Sequence, residues 1–418
     1  MMLGSDFQLR PNRKGTFVEF HQLSRTTLRY VTIFGILVSF FLMSVFFISC
    51  DRIQQTVAPE RTKVSEGAST IKIGFIYSPP DPGTTRNGAE LAVTLANEAG
   101  GINGLPIELL IRDDKRDPFL SVQHAEELIA ARVSAIVGPD YSDLALEVGG
   151  IVQQHGIPMV TTYPTNPKVP QNRNFVFMGA YIDPYQAGIM ADFATQEVGA
   201  VTAAVLTETG NAYSEGLSNV FIEDFTAQGG TITVRQFYET GATDFTEQLM
   251  AIAAVEPTVD VIFLPGLGPE FPLAVKQVRS DSIGISAIFL GGDGWDRPDL
   301  VEIGRIAVEG CFFANHFSHD GQLTKAARQF VAAYTERFGT APDGPAALGY
   351  DATMIIIEAM RRATDTTPAA IRDQIEATRD YSGATVLSHF DQNRHAIKSL
   401  VINTVKDGKI QFHRLITP

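Results

Sequence analysis

The sequence predicts an α/β protein built as two similar lobes, each a parallel sheet covered by helices on both faces. Two observations carry this reading. From Ile71 onward short apolar strands alternate with helical segments, and the alternation runs twice, first to about Thr161 and again from Thr202. Strands buried on both faces read as near-continuous apolar runs, and the helices between them supply the crossovers that a parallel sheet needs.

The first series opens with a strand over 71–77 and a helix over 87–99. That helix places Ala89, Leu91, Ala92 and Leu95 on its inner face and stops at Gly100-Gly101. A strand over 105–113, a helix over 118–131, a strand over 134–138, a helix over 142–154 stopped by Gly156, and a strand over 157–161 follow. The second series has strands over 202–207, 231–237, 259–264 and 287–290, alternating with helices near 214–228, 245–255, 270–279 and 299–304. After Asn315 come three helical stretches near 324–338, 346–363 and 368–378. The tail, 399–405 and 409–414 around Asp407-Gly408, reads as a hairpin.

Ahead of these elements, Val31 to Ile48 is nearly free of charge and apolar all round, which excludes an amphipathic core helix. Arg25 and Arg29 precede it, and Phe47-Ile-Ser-Cys50 closes it with a small residue before cysteine. The order basic, apolar, small predicts an export signal over 1–49. The closing residues resemble the lipobox of bacterial lipoproteins, with Phe47 departing from the leucine usual there; the resemblance implies lipidation at Cys50. A retained transmembrane anchor is the alternative, and either tethers the chain to a membrane. Residues 50–70 are polar and aperiodic, with Pro59 and Gly67, and read as a tether.

Cys311, the second of two cysteines, lies in the apolar Val308-Glu-Gly-Cys-Phe-Phe313 and reads as a small core residue. The formal charge is −14, and the leader's five basic and two acidic residues leave the remainder at −17. Such a surface repels nucleic acid and anionic lipid headgroups.

Ligands of open α/β sheets bind beyond the carboxyl ends of the strands, where four loops stand out. In Gly138-Pro-Asp-Tyr-Ser-Asp143, Ser142 is a candidate helix cap beside unpaired N–H groups that suit a carboxylate; it equally caps its own helix and nothing else. Thr161-Thr-Tyr-Pro-Thr165 gathers hydroxyls and free backbone groups, as turn-forming threonines also do. In Asn211-Ala-Tyr-Ser-Glu-Gly216, Tyr213 offers an aromatic face at a helix start, or is a surface tyrosine. In Gly291-Gly-Asp-Gly-Trp295 the glycines let backbone approach closely and Asp293 supplies a fixed negative charge; Asp-Gly is also a plain turn, and Trp295 is equally a packing residue. Hydroxyls and a helix end in one lobe, with a carboxylate and an aromatic in the other, form a complementary site for a zwitterion.

Asn87-Gly-Ala-Glu-Leu-Ala-Val93, Gly100-Gly-Ile-Asn-Gly104, Asp113-Asp-Lys-Arg-Asp-Pro118, Ile136-Val-Gly-Pro139, Tyr213-Ser-Glu-Gly216 and Gly292-Asp-Gly294 come in an order that resembles the type I periplasmic binding proteins, specifically the leucine/isoleucine/valine-binding branch. The resemblance covers about Ile71 to His413. It implies that Ser142, a backbone group at Tyr163, and Thr165 hold a ligand's α-carboxylate. Asp293 would take its α-ammonium, and Tyr213 would close from the second lobe. Tyr141, Leu267 and Trp295 are further candidates. It also implies three crossovers near Tyr181, Asn315 and Phe390, giving one lobe of 71–181 plus 315–390 and another of 182–314 plus 391–418, with hinge closure over the ligand. Three features depart from the family: a shorter loop at Ser78–Arg86, Leu267 where an aromatic is expected, and Asp140 as an extra acid by the carboxylate site.

An enzyme is disfavoured and no cofactor is called for. Ala212-Tyr-Ser-Glu-Gly216 lacks the first glycine of a nucleophile elbow, and phosphate-cradling glycine motifs are absent. His316 and His319 form a lone His-x-x-His in a polar loop, read as solvated rather than metal-bound. The expected function is an extracytoplasmic, lipid-anchored receptor that delivers an amino acid or related amide to an ABC permease. A tethered sensor or an envelope scaffold of the same fold is the alternative.

Overall fold

The computed structural model describes residues 69–78, 84–280 and 283–417. The predicted leader, Cys50 and nearly all of the tether lie outside them, as do five residues of the loop between Ser78 and Thr84. Among the described residues no helix is long and apolar enough to cross a membrane.

The first lobe carries β1 (Ile71–Tyr77), β2 (Ile107–Asp113), β3 (Ala135–Val137), β4 (Met159–Thr161) and β5 (Val176–Met178), ordered β2-β1-β3-β4-β5 and parallel throughout. The alternation along β1 decides which face each residue serves. Ile71, Ile73 and Phe75 enter a core with Ala89 and Val93 of the helix Thr84–Glu98 and with Ile355 and Ile356 of the helix Gly344–Arg362. Ile76 points the other way, into a core with Leu128 of the helix Pro118–Ala130 and Ala145 and Val148 of the helix Ser142–His155. Fully burying a side chain such as Phe75 contributes roughly 1.5 to 3 kcal/mol, so both faces are driven shut by apolar contact.

The second lobe has β6 (Thr202–Glu208), β7 (Thr231–Tyr238), β8 (Val261–Phe263), β9 (Ile288–Gly291) and β10 (Phe312–Asn315), again with parallel pairing. Ala203 and Val205 face Leu217 and Phe221 of the helix Ala212–Ala227, whereas Ala204 and Leu206 face Leu249 and Phe271. A small antiparallel sheet of β11 (Arg379–Ser382), β12 (Val386–Phe390) and β13 (Ala396–Lys398) follows. The tail hairpin, β14 (Leu400–Lys406) and β15 (Lys409–Ile416), then extends the second sheet antiparallel to β10, so that sheet is not purely parallel. Its order is β15-β14-β10-β9-β8-β6-β7.

The chain passes between the lobes after β5 through Tyr181, after β10 through His316, and between β13 and β14 at Ser399. The third passage therefore lies beyond the expected Phe390. Phe390 and Ala396 still pack into the core of the first lobe with Phe75 and Phe177, whereas Leu400 and Ile402 belong to the second. Lys398 is tied to the first passage, its Nζ donating to the Gly179 carbonyl at 3.2 Å.

Candidate functional site

The carboxyl ends of both sheets face one another across a cleft of about 490 Å³. Its first wall begins where β3 ends. Gly138 has φ 92°, and a Cβ there would fall 2.0 Å from the Ile76 carbonyl oxygen, so only glycine lets the loop leave this close to β1. The loop delivers Tyr141, Ser142 and Asp143 to the cleft. The residue in the cap position is Tyr141, not the expected Ser142, and it makes no side-chain cap bond. The Ser142 Oγ instead accepts from the Asn166 N–H at 3.3 Å. Uncapped, the first N–H groups of this helix carry the positive end of its dipole into the cleft.

Beside it, the loop after β4 brings Tyr163, Pro164 and Thr165. Asp140 pins the two loops together. Its carboxylate accepts from the Ser78 N–H at 3.1 Å and from the Thr162 hydroxyl at 2.6 Å, so this extra acid serves the wall's own backbone. Beneath Thr165, burial pushes the Asp183 carboxyl up to about 8, against the opposing pull of the Thr165 hydroxyl and with help from the Asp293 charge. Burial thus favours the protonated, uncharged form of Asp183.

The second wall is built around Asp293, in a single 3₁₀ turn after β9. Every polar group of this residue is engaged. Its N–H donates to Gln186 Oε1 at 3.1 Å, Oδ1 accepts from the Tyr213 hydroxyl at 2.7 Å, and Oδ2 lies 3.0 Å from His316 Nε2. The Tyr163 hydroxyl reaches across from the first wall to donate to the Asp293 carbonyl oxygen. Tyr213 is set by Asn211, whose side chain caps the helix by accepting from the Tyr213 and Ser214 N–H groups. Burial first, and the Asp293 charge second, hold the Tyr213 hydroxyl well above its usual pKa, so it remains a donor.

His316 corrects the solvated reading of the His-x-x-His loop. It is buried, stacked on Tyr181 at 3.8 Å between ring centroids, and burial pushes its pKa down to about 4 despite the raising effect of Asp293. The ring is therefore neutral at pH 7. A carboxylate only accepts, so the proton sits on Nε2; Nδ1 is left without a partner. Both stacked rings belong to lobe crossings, and the carboxylate of the cleft is thereby joined to two of them. Among the described residues no group of three or more His, Cys, Asp or Glu side chains is placed to hold a metal ion.

The structure brings Ser142, Tyr163, Thr165, Tyr213 and Asp293 together on this cleft, with Tyr141 and Leu267. Trp295 is elsewhere: fully buried, its indole N–H donates to the Leu264 carbonyl at 2.9 Å and its ring stacks on Phe271, so it packs the second core. Cys311 is buried as expected, its thiol pushed up to about 12 by burial. The sequence reading missed Arg116, Glu208, Glu270 and Arg297, which also line the cleft. Their signal was position: Arg116 follows β2, Glu208 ends β6, and the rule that ligands sit beyond strand ends applies to both.

A family model of the periplasmic binding proteins matches residues 70–409. The Leu/Ile/Val-binding protein BraC3 of Rhizobium johnstonii is 29% identical over 231 residues, 55% of this chain and 62% of that relative's length. The leucine-, isoleucine-, valine-, threonine-, and alanine-binding protein of Pseudomonas aeruginosa is 24% identical over 322 residues, 75% of this chain and 84% of that relative. Among solved structures, a leucine binding protein LivK from Thermotoga maritima superposes with TM-score 0.77 at 35% identity, covering 84% of this chain and 99% of that one. The branched-chain amino acid transporter substrate binding protein LivJ from Streptococcus pneumoniae, in complex with isoleucine, gives 0.77 at 26% identity, covering 84% and 100%. The family and the fold are those of binding proteins that work outside the cytoplasm. By its matched length, its two-lobe architecture and these relatives, the chain belongs to the periplasmic binding protein family, in its leucine/isoleucine/valine-binding branch.

Proposed function

We propose that this protein is the solute-binding receptor of an ABC transporter and captures an amino acid between its lobes. The observation that carries the reading is the polarity of the cleft, with an uncapped helix N-terminus on one wall and the Asp293 carboxylate on the other. Ser142, the backbone at Tyr163, and Thr165 hold the α-carboxylate; Asp293 takes the α-ammonium; Tyr213 closes over the ligand, with Tyr141 and Leu267 against its side chain. Three or four charge-assisted hydrogen bonds at about 1.5 to 3 kcal/mol each, together with some apolar burial, approach the roughly −8 kcal/mol of a micromolar ligand. Cys50 carries the lipid that holds the receptor at the membrane beside its permease.

Calorimetric titration with the common amino acids tests this, repeated on Asp293→Asn. The amide still accepts from Tyr213 and donates toward His316, whose other tautomer accepts, so the variant folds. Loss of the charge removes about 1.5 to 3 kcal/mol, or roughly 10- to 150-fold in Kd. An affinity within threefold of the parent would remove Asp293 from the site.

A further inference from the structure

Beyond Asp293 the second wall carries two more carboxylates, Glu208 at the end of β6 and Glu270 at the start of the helix Glu270–Ser280, only 4% and 5% exposed. Their partners are neutral donors. Glu208 accepts from the Thr240 hydroxyl at 2.6 Å and the Asn211 amide at 2.9 Å, and Glu270 accepts from the Gly241 N–H at 2.7 Å. Among the described residues neither forms an ion pair with lysine or arginine, although buried carboxylates ordinarily have one. Glu270 Oε2 lies 1.9 Å from where a Cβ of Gly268 would stand, so the chain leaves out a side chain there to make room for the acid. The Tyr238 hydroxyl, 3% exposed, ends without a hydrogen-bond partner beside Gly266. Burial and then the charges of both Glu208 and Glu270 raise its pKa, which puts the open hydroxyl in the field of the pair.

The cations of the cleft do not balance these acids. Arg297 is committed to Asp299 at 2.8 Å and to the Leu267 carbonyl at 2.8 Å. The Arg116 guanidinium sits over the Tyr141 ring, 3.5 Å from its centroid, on the opposite wall, from which its charge reaches Glu208 without an ion pair. Among the described residues Glu208 and Glu270 thus line the cleft with no cation paired to either, and the buried Tyr238 hydroxyl, in the field of both, has no hydrogen-bond partner. A neutral aliphatic side chain would leave both carboxylates without a counter-charge.

Resting on the amino-acid reading above, we propose that the bound ligand ends in a monocation, an amine or a guanidine, received by Glu208 and Glu270, so that the substrate class is the diamino and guanidino acids. The test titrates the full-length protein with leucine, glutamine, lysine and arginine, then repeats the series on Glu270→Gln and Glu208→Gln, whose amide oxygens keep the native acceptors. Lysine or arginine should bind at least tenfold tighter than leucine and glutamine, and either variant should cut that ratio at least tenfold. Tighter binding of leucine or glutamine overturns this inference and leaves the amino-acid reading standing. A cationic preference unchanged in both variants also overturns it. Binding of none of the four removes both readings together.

Discussion

The neutral His316 makes a measurable demand on how stability depends on pH. Its pKa falls from 6.5 in the unfolded chain to about 4 in the fold, because a fully buried imidazolium loses its hydration. Between those values the unfolded chain holds a proton that the folded one does not, so stability rises with pH across this window and is lost as pH falls through it. A shift of that size at about 1.36 kcal/mol per unit amounts to roughly 3 kcal/mol. Asp183 tilts the curve the other way: its raised pKa means that the fold keeps a proton up to about 8, so its contribution declines as pH rises. The parent curve alone mixes the two, and the difference from His316→Gln isolates the histidine, since glutamine still donates to Asp293. Urea unfolding at pH 7, 5.5 and 4 should show the parent losing about 3 kcal/mol relative to the variant over that range. Parallel curves would mean that His316 carries its proton in the fold, and the neutral partner argued for Asp293 would be wrong.

Asp351 gathers four donors, the Tyr381 hydroxyl at 2.9 Å, the Ala384 and Thr385 N–H groups at 2.8 Å each and the Thr385 hydroxyl at 2.6 Å, and is the counter-charge that offsets burial at Lys398. Asp351→Ala strands them all and should cost about 3 to 5 kcal/mol in chemical denaturation. Gly349 meets the helix Thr84–Glu98 so closely that a Cβ would sit 2.1 Å from the Thr85 carbonyl oxygen. Gly349→Ala should therefore destabilise by about 1 to 3 kcal/mol, while Gly150→Ala, on an open helical face, should stabilise by about 0.4 to 1 kcal/mol.

What the sequence showed of this fold follows the range of the interactions involved. The runs Ile71–Tyr77 and Thr202–Glu208 are long and apolar enough to read as strands unaided. Val176–Met178, at three residues, is not, and it becomes a strand only because β4 offers its edge. The helix Asp183–Asp192 went unread because Gly188 and a scattered apolar pattern blur its periodicity, although Pro184 in its first turn was a start signal. Asp293 and Tyr213 were legible because each follows a strand end. Their mutual hydrogen bond spans 80 residues of chain, and the Tyr163 bond to Asp293 spans 130, and no local pattern reports such pairs. His316 was misread for the same reason. Its neighbours Asn315, Ser318 and Asp320 look like a solvated loop, and only the return of the chain past Tyr181 buries it.

On the proposed reading, the arrangement at Asp293 favours a ligand that closes the cleft over one that merely occupies it. A ligand that touched one wall alone would bind open and closed forms equally and shift nothing, since a population moves only by the difference in affinity between two states. Here the groups that suit a carboxylate stand on the first wall and the charge that suits an ammonium on the second, so the full set of contacts exists only when the walls approach. The second-wall charge is also tied to the segments that join the lobes: its carboxylate meets His316 on one crossing, its backbone meets Gln186 just past another, and its carbonyl meets Tyr163 of the opposite lobe. On the proposed reading one residue thus joins the ligand, two lobe crossings and the facing wall. If each wall supplies two charge-assisted contacts of about 1.5 kcal/mol, the closed form gains about 3 kcal/mol over a form held by one wall, a factor of roughly a hundred and more in population.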